Sequence, residues 1–100
     1  MSSYTVYINP EAFDNIKELP GNMRQRIRRS IKELGENPFP SGSKMLDLPE
    51  FEASVWRLRV DNWRIIYTID ESEKIIDVLA IRKRPPYDYG DLQQLLENID

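Results

Sequence analysis

Five arginines and two tyrosines are the side chains of this 100-residue sequence best suited to chemistry on an anion: Arg57, Arg59, Arg64, Arg82, Arg84, Tyr87 and Tyr89. Arg57 and Arg59 are two residues apart, as are Arg82 and Arg84, so in extended chain each pair projects from one face of a strand. Neighbouring strands lie about 4.8 Å apart, which allows five guanidinium groups on three strands to gather on one sheet face. A guanidinium offers phosphate oxygens a planar fork of donors and stays charged, so such a gathering makes an anion site suited to phosphate. The plainer reading is a solvated outer face neutralised by Asp61, Asp70 and Asp77, as surface charges usually are. The consistent choice of arginine, where lysine would serve solubility equally well, favours the anion site. Tyr87 and Tyr89 follow the stiff Pro85-Pro86 unit. A tyrosine among arginines is drawn towards phenolate and suits a general base; it equally suits stacking on a base, or packing the last helix onto the sheet.

Other chemistries lack their residues. There is no cysteine and no histidine, so disulfides, thiolates and the usual zinc and haem ligands are missing. No glycine-rich phosphate loop, nucleophile elbow or metal-ligand cluster is present. No cofactor and no metal are therefore expected. The net charge is −3, which at first argues against a nucleic-acid partner. The charge is segregated, however: residues 21–34 carry +4 and 57–84 carry +2, against −2 for 1–20, −3 for 35–56 and −4 for 85–100. Arg24, Arg26, Arg28, Arg29 and Lys32 make segment 21–34, the second predicted helix, nearly single-signed, a pattern suited to docking on a nucleic-acid backbone or an acidic protein.

The elements that must position these residues read as one domain spanning 1–100. Residues 4–8 are β-branched and aromatic and predict a short strand. Asn9 is a good N-cap and Pro10 suits the first helical position, with Ala12, Phe13, Ile16 and Leu19 at helical spacing. Pro20-Gly21 ends that helix; Met23, Ile27, Ile31 and Leu34 predict a second over 22–34, stopped by Gly35. Residues 35–49 hold three prolines and two glycines and predict a long irregular connection. Residues 53–60 alternate, with Trp56, Leu58 and Val60 on one face and Val55, Arg57 and Arg59 on the other. Asp61-Asn62 predicts a turn, 63–69 a strand, 70–73 a second turn and 74–84 a central strand. These three strands should form an antiparallel meander, with Trp56 and Trp63 in the core. Asp91 suits the cap of a final helix with Leu92, Leu95, Leu96 and Ile99 as its apolar stripe. The predicted class is α+β, in the order β-α-α-β-β-β with a short C-terminal helix, the helical pair covering one sheet face. No apolar run is long enough to cross a bilayer and the first residues lack a secretion pattern, so a cytoplasmic protein without membrane contact is expected.

Leu46 to Pro49, followed by Trp56-Arg57-Leu58-Arg59-Val60-Asp61-Asn62-Trp63-Arg64-Ile65-Ile66-Tyr67, resembles the RelE/ParE superfamily of bacterial toxin-antitoxin toxins. It is similar to that superfamily's leucine-and-proline loop leading into an R-x-R-(V/I)-x-(D/G)-(Y/W)-R-(V/I)-(I/V)-Y pattern. Arg82-Lys83-Arg84 with Tyr87 and Tyr89 resembles the basic strand end and later tyrosine of the RNA-cleaving branch. The resemblance implies a RelE-like microbial RNase fold and a small ribonuclease that cuts messenger RNA in the ribosomal A site, held inactive by an antitoxin. Position by position, it implies that Arg57 lies near the scissile phosphate, Arg64 holds phosphate, and Arg84 or Arg82 stabilises the transition state or protonates the leaving oxygen. Arg59, Lys83, Arg24 and Arg28 are the further RNA contacts expected. The chemistry implied is attack of the RNA 2′-hydroxyl on the adjacent phosphorus, without metal. Where some members carry lysine this sequence has arginine, a poor general base, which leaves that role to Tyr87 or Tyr89. Two other readings stand beside this one: a ParE-like inhibitor of DNA gyrase, and a non-toxic module acting with its antitoxin as a co-repressor.

Overall fold

The computed structural model describes residues 3–46 and 54–83. Its elements are β1 (Thr5–Ile8), α1 (Pro10–Lys17), α2 (Gly21–Leu34), β2 (Ser43–Met45), β3 (Ser54–Val60), β4 (Trp63–Asp70) and β5 (Ile75–Lys83). Arg84, Tyr87, Tyr89, Leu46–Pro49 beyond its first residue, and the expected final helix lie outside the described residues.

Helix α1 starts as its sequence predicts: the Asn9 side chain accepts from the Glu11 and Ala12 N–H groups at 2.9 and 3.3 Å, and Pro10 occupies the first turn. The chain then turns back as α2, which ends at Gly35. At that end space is the constraint. A Cβ on Gly35 would sit 3.1 Å from the Tyr4 carbonyl oxygen and 3.2 Å from Val6, so the absence of a side chain lets α2 and β1 meet.

The sheet has the order β1-β5-β4-β3-β2. β3, β4 and β5 form the expected antiparallel meander, and β1 adds to β5 in parallel. The expectation of an irregular connection over 35–49 is corrected by β2, whose Ser43, Lys44 and Met45 pair with Leu58, Arg57 and Trp56. Three residues between proline-rich flanks carry no periodicity that could have announced this strand; it forms because β3 offers a row of unpaired backbone groups.

Ala12, Ile16, Leu19, Ile27, Ile31 and Leu34 of the helical pair pack on Leu58, Val60, Ile65, Tyr67, Ile69, Ile76, Val78 and Ile81. Each fully buried aliphatic side chain contributes about 1.5–3 kcal/mol. Trp56 and Trp63 pack against this core from its margin. None of the described helices is long and apolar enough to cross a membrane.

Candidate functional site

Strand register builds the site. A two-residue turn joins β3 to β4, with Val60 opposite Trp63 and Asp61 at a left-handed φ of 53°. Counting back from it, Arg59 stands opposite Arg64, and Arg64 stands opposite Arg82 of β5. Directly opposed residues share a sheet face. Arg59, Arg64 and Arg82 thus form a row across three strands, and Arg57 occupies the same face two residues along β3, with Lys44 of β2 opposite it. This is the face turned away from the helices, because Leu58, Val60, Ile65 and Ile81 in the intervening positions belong to the helix-side core.

The row depends on a bulge. Ile66 is opposite Ala80 but Tyr67 is opposite Val78, which leaves Leu79 as an extra residue in β5. Under strict alternation Ile76, Val78, Ala80 and Arg82 would share one face. The extra residue lets Ile76, Val78 and Ile81 all enter the core while Arg82 joins Arg64 on the other face.

Three of the four guanidinium groups have oriented places. Arg57 donates from Nη1 to the Gly42 carbonyl at 3.0 Å, and the same carbonyl accepts the Arg59 N–H at 3.2 Å. Gly42 has φ 93°, a conformation that requires glycine. Arg64 donates from Nη1 to the carbonyls of Asp61 and Trp63 at 3.0 and 2.9 Å. Arg82 donates from Nη1 to Asn15 Oδ1 at 3.1 Å, and its Nη2 is 3.7 Å from Glu11 Oε1. Arg59 is exposed and borders a hollow of about 380 Å³ with Met23, Asp61, Asn62 and Trp63. Lys83 is exposed at the end of β5, opposite Trp63. Neutral carbonyl groups hold donors of Arg57 and Arg64 in position without cancelling their charge.

The aspartates expected to neutralise the row are placed otherwise. Asp61 pairs with Arg26 of α2. Asp70 accepts from the Ser72 hydroxyl and from the Ser72 and Glu73 N–H groups, which hold its carboxyl below the usual range. Asp77 is opposite Thr68, four residues along β4 from Arg64, and burial with the nearby Asp70 charge raises its carboxyl above that range.

The basic residues of α2 divide. Arg24 turns inward, its Nη2 donating to the Lys17 and Leu19 carbonyls at 3.1 Å each, where it completes the end of α1. Arg28 and Lys32 border an apolar groove of about 330 Å³ lined by Val6, Ile8, Phe13, Ile16 and Ile31. Ile8 and Phe13 of that lining are 40% and 48% exposed. Asn15 and Gly42 went unrecognised in the sequence. A lone asparagine in an amphipathic helix carries no signal, and Gly42 reads only as a loop residue.

The model of the family described as ParE toxin of type II toxin-antitoxin system, parDE, matches residues 6–85. The chain is 25% identical over 83 residues to the protein RelE1 of Methanocaldococcus jannaschii, covering 81% of this chain and 90% of that one. Its fold matches RelE in the archaeal RelE-RelB complex from Pyrococcus horikoshii with a TM-score of 0.73 at 23% identity, over 85% of this chain and 98% of that one. It matches the toxin-antitoxin complex RelBE2 of Mycobacterium tuberculosis with a TM-score of 0.72 at 22% identity, over 84% and 94%. The isolated RelE toxin of E. coli superposes with a TM-score of 0.67 at 14% identity, over 98% and 100%.

Proposed function

Because this chain belongs to the ParE toxins of type II toxin-antitoxin systems, within the RelE/ParE superfamily, we propose that it is a ribosome-dependent endoribonuclease that cuts messenger RNA in the cytoplasm and is silenced by an antitoxin. The observation that carries this reading is the row of Arg59, Arg64 and Arg82 with Arg57 on one sheet face. In RNA cleavage the 2′-hydroxyl attacks the adjacent phosphorus, the bond to the 5′-oxygen of the next nucleotide breaks, and a 2′,3′-cyclic phosphate is left. Negative charge grows on the phosphoryl oxygens along that path, and fixed guanidinium groups stabilise it with little reorganisation. Arg57 and Arg64 hold the scissile phosphate in this mechanism. Arg84 or Arg82 stabilises the transition state or protonates the leaving oxygen, and Tyr87 or Tyr89 takes the hydroxyl proton. Requirement for the 2′-hydroxyl makes the activity specific for RNA.

The partner is a protein, as it is for the RelE chains solved in complex with RelB. The groove between β1, α1 and α2 supports this: apolar residues line it and Arg28 and Lys32 edge it, which suits an antitoxin segment with aliphatic and acidic side chains. An antitoxin with no acidic segment touching α2 would count against it.

Induced expression in a heterologous bacterium, with primer extension on an abundant message while translation is on or blocked, tests the reading. Growth arrest with translation-dependent cuts inside reading frames is expected. Arrest without cuts would transfer the reading to DNA gyrase, the ParE-like alternative, and absence of arrest would favour the co-repressor.

A further inference from the structure

β1 covers the outer edge of β5 only as far as Val78, opposite Ile8, and the Asn9 N–H closes this pairing on the Val78 carbonyl at 3.0 Å. Beyond that point the edge of β5 passes to α1. The Ile81 N–H, which β1 does not reach, donates to Asn15 Oδ1 at 3.0 Å. That same oxygen accepts from Arg82 Nη1 at 3.1 Å. One side-chain oxygen therefore fixes both the backbone of β5 and the guanidinium at the end of the arginine row, with Glu11 one helical turn earlier on Nη2 at 3.7 Å.

We propose that Asn15 is a positioning residue of the arginine face, holding the Arg82 guanidinium at the outer edge of β5 in an orientation that receives RNA phosphate. This deepens the endoribonuclease reading and rests on it. The amide suits the task better than a carboxylate would. It gives two lone pairs to two donors, and being neutral it adds no negative charge to that of Glu11 against Arg82. Side-chain immobilisation is itself unfavourable, so orienting Arg82 before RNA arrives removes part of the ordering cost from binding.

The test joins a spectroscopic measurement to a double-mutant cycle on the full chain. In the wild type, the Arg82 guanidinium protons should give resolved, slowly exchanging NMR signals. Asn15→Ala should average them, while the Ile81 amide and the core signals stay dispersed. Asn15→Asp keeps an acceptor there, so the signals should persist while affinity for a short single-stranded RNA falls, because the added carboxylate opposes phosphate. In translation-dependent cleavage Asn15→Ala should raise KM about tenfold, the scale of one charge-assisted hydrogen bond, and have little further effect once Arg82→Ala is present. An equal loss in the Arg82→Ala background would overturn the proposal, because Asn15 would then act only through the Ile81 backbone. Averaged Arg82 signals in the wild type would overturn it without reference to activity. A wild type that orders Arg82 yet neither binds nor cleaves RNA would overturn the endoribonuclease reading and the phosphate role of Asn15 with it, whereas failure of the cycle in a cleaving protein would remove Asn15 alone.

Discussion

Arg64 and Arg82 stand directly opposite each other on β4 and β5, two like charges side by side on one sheet face. Such a pair opposes folding. It is accommodated because Arg64 is drawn to the Asp61 and Trp63 carbonyls and Arg82 to Asn15 and Glu11. In the endoribonuclease reading proposed above, this pair of cations in register meets the RNA phosphates.

Arg64→Ala is accordingly expected to abolish growth arrest on induction while leaving the fold intact. The lost carbonyl hydrogen bonds, about 0.5–1.5 kcal/mol each net, are opposed by relief of repulsion with Arg82, so the melting temperature should move little. Circular dichroism melting beside a plating assay checks both parts, and full toxicity in this variant would remove the phosphate role.

Arg24 reads as a backbone contact for RNA from the sequence; in the fold its guanidinium donates to the carbonyls of Lys17, at the end of α1, and of Leu19 just beyond it. Arg24→Met keeps the stem and removes those donors. It should lower stability by about 1 kcal/mol, seen as a fall of several degrees in melting temperature for a domain of this size. An unchanged melting temperature would show that these contacts do not cap α1.

Asp77 is held above the ordinary carboxylate range by burial first and by Asp70 second. Its proton is bound more tightly in the folded chain than in the unfolded one. The resulting stabilisation is present below the unfolded value and is lost as pH rises through the folded value. At neutral pH the ionised group therefore opposes folding, and Asp77→Asn should melt higher than the wild type. In acid, where both proteins are neutral at this position, the difference should close; a gain independent of pH would point to another cause.

Tyr67 is buried, its hydroxyl donates to the Pro38 carbonyl at 3.0 Å, and burial pushes its pKa up to about 12. A folded value above the unfolded one near 10 means this tyrosine contributes fully below about 10 and loses its contribution as pH climbs towards 12. Phenolate absorbance should show one of the five tyrosines titrating late, together with unfolding. Tyr67→Phe should remove that late step and cost about 1–3 kcal/mol by leaving the buried Pro38 carbonyl without its donor.

The sequence by itself determined the order of the elements other than β2, because each of these carries its own local signal: the Asn9-Pro10 cap, the four-residue recurrence of Met23, Ile27 and Ile31, and the alternation through Trp56 and Leu58 against Arg57 and Arg59. It determined the two-residue Asp61-Asn62 turn, and with it the pairing of Arg59 with Arg64. Only tertiary structure decided the rest. The bulge at Leu79, which sets Arg82 on the arginine face, arises because Ile76, Val78 and Ile81 all have to enter one core. β2 exists because β3 needs a partner along its outer edge. Asn15 and Gly42 matter because the fold brings a helix against the uncovered end of β5 and a loop against β3. Local periodicity records which face of an element is apolar. Which polar group completes a strand edge or aims a guanidinium depends on contacts between residues as far apart in sequence as Asn15 and Arg82, and these leave no periodic trace.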